Sequence, residues 1–259
     1  MKLAIITGAS SGMGREFALQ LKRGGEADAF WLVARRKDRL ESLAEELGCP
    51  CRIIPADLTT KEGLDAVSTA LEEEKVAVKY LVNCAGYGKY GAFDEVAERD
   101  VVGMIDLNIK ASVVLTHRIL PYMEKGGHII NLGSGSCFTP LPYFNTYASS
   151  KSFILHYTKA LRYETKKLGV TATCFCPGWV DTEFLTLAVA QKGVTHPKAS
   201  AYKPLLKVDR VVAGAIRAAK RGRVMYVTGW YTKLQHLLFK LIPDSLLSKA
   251  WLGMVEKGE

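Results

Sequence analysis

Short apolar runs alternate with amphipathic stretches along most of the chain, and most runs end at a turn rich in glycine, proline or charge. The runs occupy residues 3–6, 30–34, 51–55, 80–82, 128–132, 170–176 and 224–227. Such runs predict buried β-strands, whereas apolar residues three or four apart between them predict helices. Strict alternation of strand and helix predicts an α/β fold: a single Rossmann-type domain whose doubly wound parallel sheet carries helices on both faces.

The amphipathic stretches predict helices across residues 17–21, 38–47, 64–71, 101–123, 145–168, 183–191 and 208–220. Between residues 181 and 207 the periodicity weakens, and Gly193, Pro197 and Pro204 interrupt it. A segment of this kind, next to the ends of the predicted strands, indicates a lid over a substrate site.

The last 31 residues form a separate pattern, which we divide as an extension, 229–259, from a catalytic domain, 1–228. Its apolar positions follow helical spacing at Trp230, Tyr231, Leu234, Leu237, Leu238, Leu241 and Ile242. Lys233, His236 and Lys240 take the other side, and the pattern repeats after Pro243. A basic amphipathic helix packs on its own protein, on a second subunit or on an anionic membrane surface, and the sequence leaves these alternatives open.

Composition narrows the class of protein. The chain is 48% hydrophobic and 24% charged over 259 residues, which is typical of a globular protein. Its first apolar run is too short for a signal peptide, and no stretch approaches the ~18 apolar residues of a membrane span, so we expect a cytoplasmic protein. Neither the six cysteines nor the five histidines show zinc-ligand spacing, and we expect no metal.

The net charge of +9 belongs to the C-terminal part of the chain. Residues 1–191 hold 22 basic and 22 acidic residues, whereas residues 192–259 hold 13 basic and 4 acidic residues. The basic residues match no nucleic-acid motif and do not alternate with exposed aromatics, so we expect no nucleic-acid partner.

Two stretches suggest a phosphate-binding site. Residues 7–14, Thr-Gly-Ala-Ser-Ser-Gly-Met-Gly, join a predicted strand to a helix, which points backbone N–H groups at a phosphate. Their glycine spacing differs from the G-x-G-x-x-G dinucleotide fingerprint, and a plain tight turn is the alternative. The second strand ends at Arg35 and Arg36, where an arginine accommodates the 2′-phosphate of NADP and an acidic residue would select NAD. A solvated charge cluster opening the next helix is the alternative there.

Tyr147 and Lys151 supply candidate chemistry. They are four residues apart and lie on one face of a predicted helix. An ammonium beside a phenol favours the phenolate and lowers its pKa toward neutrality, which makes Tyr147 a candidate general acid or base.

Taken in order, these motifs resemble the short-chain dehydrogenase/reductase family over residues 1–228. The resemblance rests on Thr7-x-x-x-Gly12-x-Gly14, Asn83-Cys84-Ala85-Gly86, Asn108, Ser134, Tyr147-x-x-x-Lys151 and Pro177-Gly178 with Thr182. It implies an NADP-dependent oxidoreductase that interconverts a ketone and a secondary alcohol.

The resemblance also implies roles for individual residues. Tyr147 exchanges a proton with the substrate oxygen, Lys151 binds the nicotinamide ribose and lowers the pKa of Tyr147, Ser134 binds the carbonyl, and Asn108 supports a proton relay. The implied cofactor contacts are Gly8, Ser10, Ser11, Gly12, Met13, Arg35, Arg36, Asp57, Leu58, Asn83, Ala85, Gly86, Tyr147, Lys151, Pro177, Gly178, Val180 and Thr182.

Two positions depart from or complicate the family pattern. Cys84 replaces the usual second asparagine of the Asn-Asn-Ala-Gly segment. Ser136 lies two residues beyond Ser134 and competes for its role, although the distance to Tyr147 favours Ser134.

The substrate is expected to be large and apolar, because aromatic and aliphatic residues cluster near the predicted mouth: Trp179, Phe184, Leu185, Leu187 and Trp230. We favour a hydroxysteroid or bile acid; a 3-oxoacyl thioester or a general ketone is the alternative. A non-enzymatic NADP-binding regulator is disfavoured by the intact Ser134, Tyr147 and Lys151. The family resemblance further implies a homodimer or homotetramer formed through the helices at 101–123 and 145–168.

Overall fold

The computed structural model describes residues 1–188, 195–197 and 204–257. Its strands, in chain order, are β1 (Leu3–Thr7), β2 (Ala29–Ala34), β3 (Cys51–Pro55), β4 (Val78–Asn83), β5 (Met123–Leu132), β6 (Thr171–Cys176), β7 (Thr195–Pro197), β8 (Met225–Val227) and β9 (Val255–Lys257). Seven of them form a parallel sheet in the order β3-β2-β1-β4-β5-β6-β8, and β7 pairs with β9 antiparallel.

The helices connect these strands. They are α1 (Gly12–Arg23), α2 (Lys37–Leu47), α3 (Lys61–Glu74), α4 (Glu98–Ile105), α5 (Ser112–Ile119), α6 (Asn145–Glu164), α7 (Glu183–Ala188), α8 (Val208–Lys220), α9 (Trp230–Leu238) and α10 (Asp244–Leu252).

Both faces of the sheet are covered. On one face, α1, α2 and α8 bury an apolar cluster that includes Phe17, Leu40 and Val212. On the other, α3 and α5 bury a second cluster that includes Val67 and Leu115. Strand β1 is buried along its whole length, as expected where helices cover both faces. The predicted Rossmann-type α/β fold is therefore confirmed.

The predicted helix at 101–123 is only partly right. The chain is helical from residue 98 to 122, but a π-helical turn, Asp106–Ala111, separates α4 from α5. The helical part ends at the 3-10 turn Leu120–Tyr122, which contains a proline, and Met123 already belongs to β5. Strand β5 consequently begins five residues before the predicted start, with a register shift against β4 between Val78 and Tyr80.

The predicted lid is described only in part. Helix α7 begins at Glu183 as predicted and is described to Ala188. The predicted helix end at residue 191, and much of the lid between 181 and 207, lie outside the described residues. The pairing of β7 with β9 joins this segment to the C-terminal end of the chain, which the apolar pattern did not predict.

The extension forms two helices, as its periodicity predicts, but most of their apolar side chains other than Trp251 are not buried. Helix α9 packs through Thr232, which is buried, and through His236, whose ring lies 4.0 Å from that of Phe138. Leu237 and Leu241 are 58% and 78% exposed. Among the described residues no helix is long and apolar enough to cross a membrane.

Candidate active site

Strand order reverses between β1 and β4, so their carboxyl ends open a crevice of the kind that binds ligands in doubly wound sheets. The glycine-rich turn lines one side of it. Gly8 has φ +69°, and a Cβ there would lie 2.9 Å from the backbone nitrogen of Ala85. A Cβ at Gly14 would collide with the Gly8 carbonyl oxygen. The turn thus presents bare backbone to the crevice, as the approach of a pyrophosphate requires.

Polar side chains fix the backbone beneath this crevice. The Thr7 hydroxyl accepts hydrogen bonds from the backbone nitrogens of Cys84 (3.0 Å) and Ala85 (3.1 Å). Buried Asn83 donates to the side chains of Asn131 (2.9 Å) and Thr116 (3.0 Å). Asn83 therefore ties β4 to β5 and α5, and Thr7 anchors the segment in which Cys84 replaces asparagine.

The two arginines after β2 lie in different surroundings. The Arg36 guanidinium donates to the hydroxyls of Ser11 (2.7 Å) and Ser10 (3.0 Å), and to the Glu183 carboxylate (3.1 Å). Arg35 is largely exposed and lies 3.9 Å from the Asp57 carboxylate. These contacts bring Arg36, but not the Arg35 side chain, against the glycine-rich turn.

Arg39, which sequence reasoning missed, completes an anion site with Arg36. Its guanidinium donates to the other Glu183 oxygen at 2.6 Å, so each carboxylate oxygen is held by a different arginine. The surrounding cleft has a volume of about 460 Å³ and is lined partly by Ser10, Ser11 and Gly12. The i, i+3 spacing of Arg36 and Arg39 on one turn of α2 is the signal that would have identified the pair.

These features fit a dinucleotide cofactor. The turn leaves no room for side chains at Gly8 and Gly14, and the paired guanidiniums already bind a carboxylate, whose oxygens resemble those of a phosphate. Residues Gly8 to Met13 would hold the pyrophosphate, and Arg36 with Arg39 would hold a further phosphate.

Tyr147 lies in an aromatic pocket with its hydroxyl on Ser134. The ring is 7% exposed, stacks on Phe144 at 4.4 Å and lies 5.3 Å from the Phe184 ring. Burial raises the pKa of Tyr147 well above its ordinary value, and the hydrogen bond with Ser134 opposes that rise. This is the reverse of the lowered pKa expected from a neighbouring ammonium.

Lys151 is buried one helical turn from Tyr147. Its Nζ donates to the Leu132 carbonyl at 2.9 Å and lies 5.6 Å from the centre of the Tyr147 ring. Burial lowers the pKa of Lys151 to about 8. The distance to the ring and the bond to Leu132 explain why this amine does not control the pKa of Tyr147 in the protein alone.

The π-helical turn carries Asn108 toward the same site. The Asn108 amide donates to the Tyr87 carbonyl and the Ser150 hydroxyl, both at 3.0 Å, and accepts from the Tyr87 backbone nitrogen at 3.1 Å. Ser150 in turn donates to the Tyr147 carbonyl at 2.7 Å. Asn108 is thus linked to the helix of Tyr147 and Lys151 through Ser150, another residue that sequence reasoning missed.

The serine that faces Tyr147 is Ser134. Its hydroxyl accepts from the Ser136 backbone nitrogen at 3.2 Å. The Ser136 hydroxyl is buried and has no hydrogen-bond partner among the described residues. This geometry agrees with the preference for Ser134.

The remaining expected cofactor residues lie in the glycine-rich turn or in the segments that follow the carboxyl ends of β3, β4 and β6. A Cβ at Gly86 would lie 2.8 Å from Asn108 Oδ1, so Gly86 adjoins the catalytic side. The Gly178 backbone nitrogen donates to the Thr228 hydroxyl at 2.9 Å, and the Pro177 carbonyl accepts from Gly135 at 2.7 Å. Thr182 lies over Gly12, since a Cβ at Gly12 would be 3.4 Å from the methyl group of Thr182. The others are Met13, beside the glycine-rich turn, Val180, buried and bridged to Leu206, and Asp57 and Leu58, after β3.

The side chain of Leu58 does not face the crevice. It is buried in the core cluster beneath α3, so only its backbone is available to a cofactor. The Asp57 carboxylate accepts from the backbone nitrogen and hydroxyl of Thr59 at 3.0 and 2.7 Å.

An apolar wall of mostly buried side chains packs against the Tyr147 ring. Phe144 stacks on Tyr90 at 3.8 Å, and Trp251 of α10 packs into the same cluster. The Trp251 indole donates to the Pro142 carbonyl at 2.8 Å. The extension therefore supplies part of the wall, which the sequence did not predict because α10 is more than 100 residues from Pro142.

Comparisons with known proteins agree with this geometry. The family model described as short chain dehydrogenase matches residues 2–193. Sulfoacetaldehyde reductase 2 of Chromohalobacter salexigens is 38% identical over 191 residues, which cover 70% of this chain and 74% of that protein.

Two solved structures extend the similarity to the whole fold. A short-chain dehydrogenase from Sphingobium yanoikuyae in complex with NADPH is 27% identical, with a TM-score of 0.78 and 96% of each chain covered. The bulky-bulky ketone specific alcohol dehydrogenase from Comamonas testosteroni is 25% identical, with a TM-score of 0.73 over 96% of this chain and 94% of that one.

Proposed function

Because this chain belongs to the short-chain dehydrogenase family and is therefore an oxidoreductase that uses a nicotinamide cofactor, we propose that it interconverts a ketone and a secondary alcohol with NADP(H). One observation carries the proposal. The hydroxyls of Ser134 and Tyr147 share a hydrogen bond beside the buried amine of Lys151, at the crevice where β1 and β4 diverge.

The proposed roles follow from these contacts. NADPH, when bound, supplies the hydride for the carbonyl carbon. Ser134 holds the carbonyl oxygen, and Tyr147 donates a proton to it. The raised pKa keeps the Tyr147 phenol protonated, which suits the acid required for reduction. Lys151 would place its positive charge beside the ribose of the bound cofactor, and Asn108 with Ser150 holds the helix of Tyr147 in place.

The preference for NADP over NAD rests on Arg36 and Arg39. Two guanidiniums converge on the oxygens of one carboxylate next to Ser10 and Ser11. A 2′-phosphate offers negatively charged oxygens that can accept from both guanidiniums, whereas the 2′-hydroxyl of NAD offers no charge to pair with them.

The substrate is proposed to be large and apolar. Tyr90, Phe144 and Trp251 form a buried aromatic cluster with Tyr147, and the partly exposed ring of Phe184 packs against it. A hydroxysteroid or bile acid would pack against the exposed side of this cluster, and the related alcohol dehydrogenase specific for bulky-bulky ketones supports a bulky substrate. A 3-oxoacyl thioester or a smaller ketone is the alternative.

Two surfaces support proposals about assembly. Helices α4 and α6 expose Val102, Ile105 and Phe153, and we propose that this face forms a homodimer or homotetramer. We treat residues 229–259 as an extension of the catalytic domain 1–228, and its exposed apolar face suits an anionic membrane surface or a second subunit. We propose a cytoplasmic location for the enzyme.

Replacing Tyr147 with Phe tests the reaction. The phenylalanine keeps the aromatic packing but removes the proton donor, so transfer of deuterium from labelled NADPH to a bulky ketone should fall about a thousandfold. The dissociation constant for NADPH, measured by fluorescence titration, should change less than about twofold. Tyr163→Phe is the matched control, because that tyrosine lies on the same helix and is 78% exposed.

Turnover by Tyr147→Phe close to that of the parent enzyme would refute the assigned proton donor. Absence of deuterium transfer from NADPH or NADH to any ketone in steroid, 3-oxoacyl and small-ketone panels would refute the proposed activity.

A further inference from the structure

Glu183 occupies the anion site that Arg36 and Arg39 form. Its Oε2 is 3.1 Å from Arg36 Nη1, and its Oε1 is 2.6 Å from Arg39 Nη1. The two arginines hold the pKa of Glu183 below its ordinary value, with the Arg39 hydrogen bond as the largest cause. The carboxylate is therefore ionised at neutral pH, and each of its oxygens accepts a hydrogen bond from one arginine.

This arrangement differs from an isolated surface ion pair. Arg36 also holds Ser10 and Ser11 of the glycine-rich turn, so the site is anchored on the cofactor side. Glu183 comes from a distant part of the chain and begins α7. The next residue, Phe184, contacts the ring of Tyr147. One dipeptide thus connects the anion site with the wall of the catalytic pocket.

We propose that Glu183 competes with the 2′-phosphate of the cofactor for Arg36 and Arg39, and that binding of this phosphate releases α7 from the arginines. The inference rests on the proposed NADP preference and adds a residue that sets its strength. The same arginine N–H groups can donate to carboxylate or to phosphate oxygens, so the two anions exclude each other from this site. The dephosphorylated cofactor leaves Glu183 in place. The presence or absence of a 2′-phosphate consequently affects Phe184, which follows Glu183 in α7.

The first test measures affinity. In Glu183→Gln the competitor loses its charge, and the dissociation constants of NADPH and of adenosine 2′,5′-bisphosphate should fall about fivefold, since each half-exposed ion pair contributes only modestly. NADH and 5′-AMP should change less than about twofold. Glu46→Gln is the matched control, because Glu46 pairs with Arg15 at the edge of the same cleft and does not contact Arg36 or Arg39.

A double-mutant cycle assigns the effect to Arg39. In the Arg39→Ala background, Glu183→Gln should raise the affinity for NADPH by less than about twofold. The shorter of the two hydrogen bonds to Glu183, the one from Arg39, is already absent in this background. An undiminished gain would mean that Glu183 acts only through its general negative charge, and would overturn the competition.

The second test follows α7 directly. Hydrogen exchange of residues 183–188 should quicken when the protein binds adenosine 2′,5′-bisphosphate and should not change with 5′-AMP. Neither ligand carries a nicotinamide that would contact the lid. Equal protection with both ligands would refute the release of α7.

The outcomes separate this inference from the proposed function. If the parent protein binds NADPH and reduces ketones but Glu183→Gln binds NADPH no more tightly, the competition is refuted and the function stands. If adenosine 2′,5′-bisphosphate binds no more tightly than 5′-AMP to either protein, the NADP preference fails and the competition fails with it.

Discussion

Ser134 is proposed to hold the substrate oxygen, whereas its neighbour Ser136 is not. Ser134 is hydrogen-bonded to Tyr147, whereas Ser136 uses its backbone nitrogen to bind Ser134. We predict that Ser134→Ala lowers kcat by roughly a hundredfold, because the substrate oxygen loses a hydrogen-bond donor in the transition state. Ser136→Ala should stay within about threefold. Steady-state kinetics of both variants measure this, and an equal loss in the two would remove the distinction.

Single residues show where sequence spacing succeeds and where it fails. Sequence spacing, together with the family resemblance, predicted that Ser134, Tyr147 and Lys151 lie close together, and they do. It gave the wrong direction for the pKa of Tyr147. That pKa depends on burial by Phe144 and Phe184, and the helix periodicity around Tyr147 contains no information about that burial.

Whole elements were predicted from apolar runs, except where the chain departs from regular geometry. The π-helical turn between α4 and α5 has the same apolar spacing as an α-helix over so few residues, so the sequence predicted one continuous helix. The early start of β5 was missed for a similar reason. Residues 124–127, Glu-Lys-Gly-Gly, lack the apolar run that predicts a strand, and Gly126 takes φ +82° there.

The junction of β5 and β6 makes stability depend on pH. Burial, together with the positive charge of nearby Lys79, lowers the pKa of His128 from its ordinary 6.5 to about 4. The imidazole is 2.7 Å from the Thr171 hydroxyl. Because the folded-state pKa is the lower one, the unfolded chain takes up a proton first as pH falls from about 6.5 to about 4, and stability is lost across that window.

Comparison of His128→Gln with the parent protein measures this loss. The full shift corresponds to about 3 kcal/mol, and we expect about 2 kcal/mol because the ring is partly exposed. Urea unfolding at pH 7 and pH 4 should show a smaller drop in the free energy of unfolding for the variant. His117→Gln, at an exposed site on α5, should behave like the parent. An equal drop in all three proteins would assign the acid sensitivity to carboxylates.

On the scale of the whole molecule, the extension contributes Trp251 to the apolar wall beside Tyr147 and exposes the leucines of α9 on the outside of the protein. Periodicity predicted α9 and α10 but not which face packs inward. The inward contacts are made by Thr232 against the backbone at Gly178, and by Trp251 against Pro142. Such contacts depend on loops distant in sequence. The leucine face of α9 remains exposed, next to Lys233 and Lys240.

The exposed leucine face of α9 is predicted to bind an anionic membrane surface. Leu237→Glu combined with Leu241→Glu should reduce binding to anionic phospholipid vesicles at least tenfold, since each leucine that enters an apolar phase contributes roughly 1.5–3 kcal/mol. The thermal midpoint should shift by less than about 2 °C, because neither side chain is buried in the protein.

Leu187→Glu, at a 54% exposed site outside the extension, is the control. Vesicle flotation measures the binding, and sedimentation velocity measures the mass of the free protein. If the parent protein forms a dimer and does not bind vesicles, and the double variant is a monomer, the face binds a second subunit. Unchanged flotation and mass in the double variant would show that the face binds neither partner.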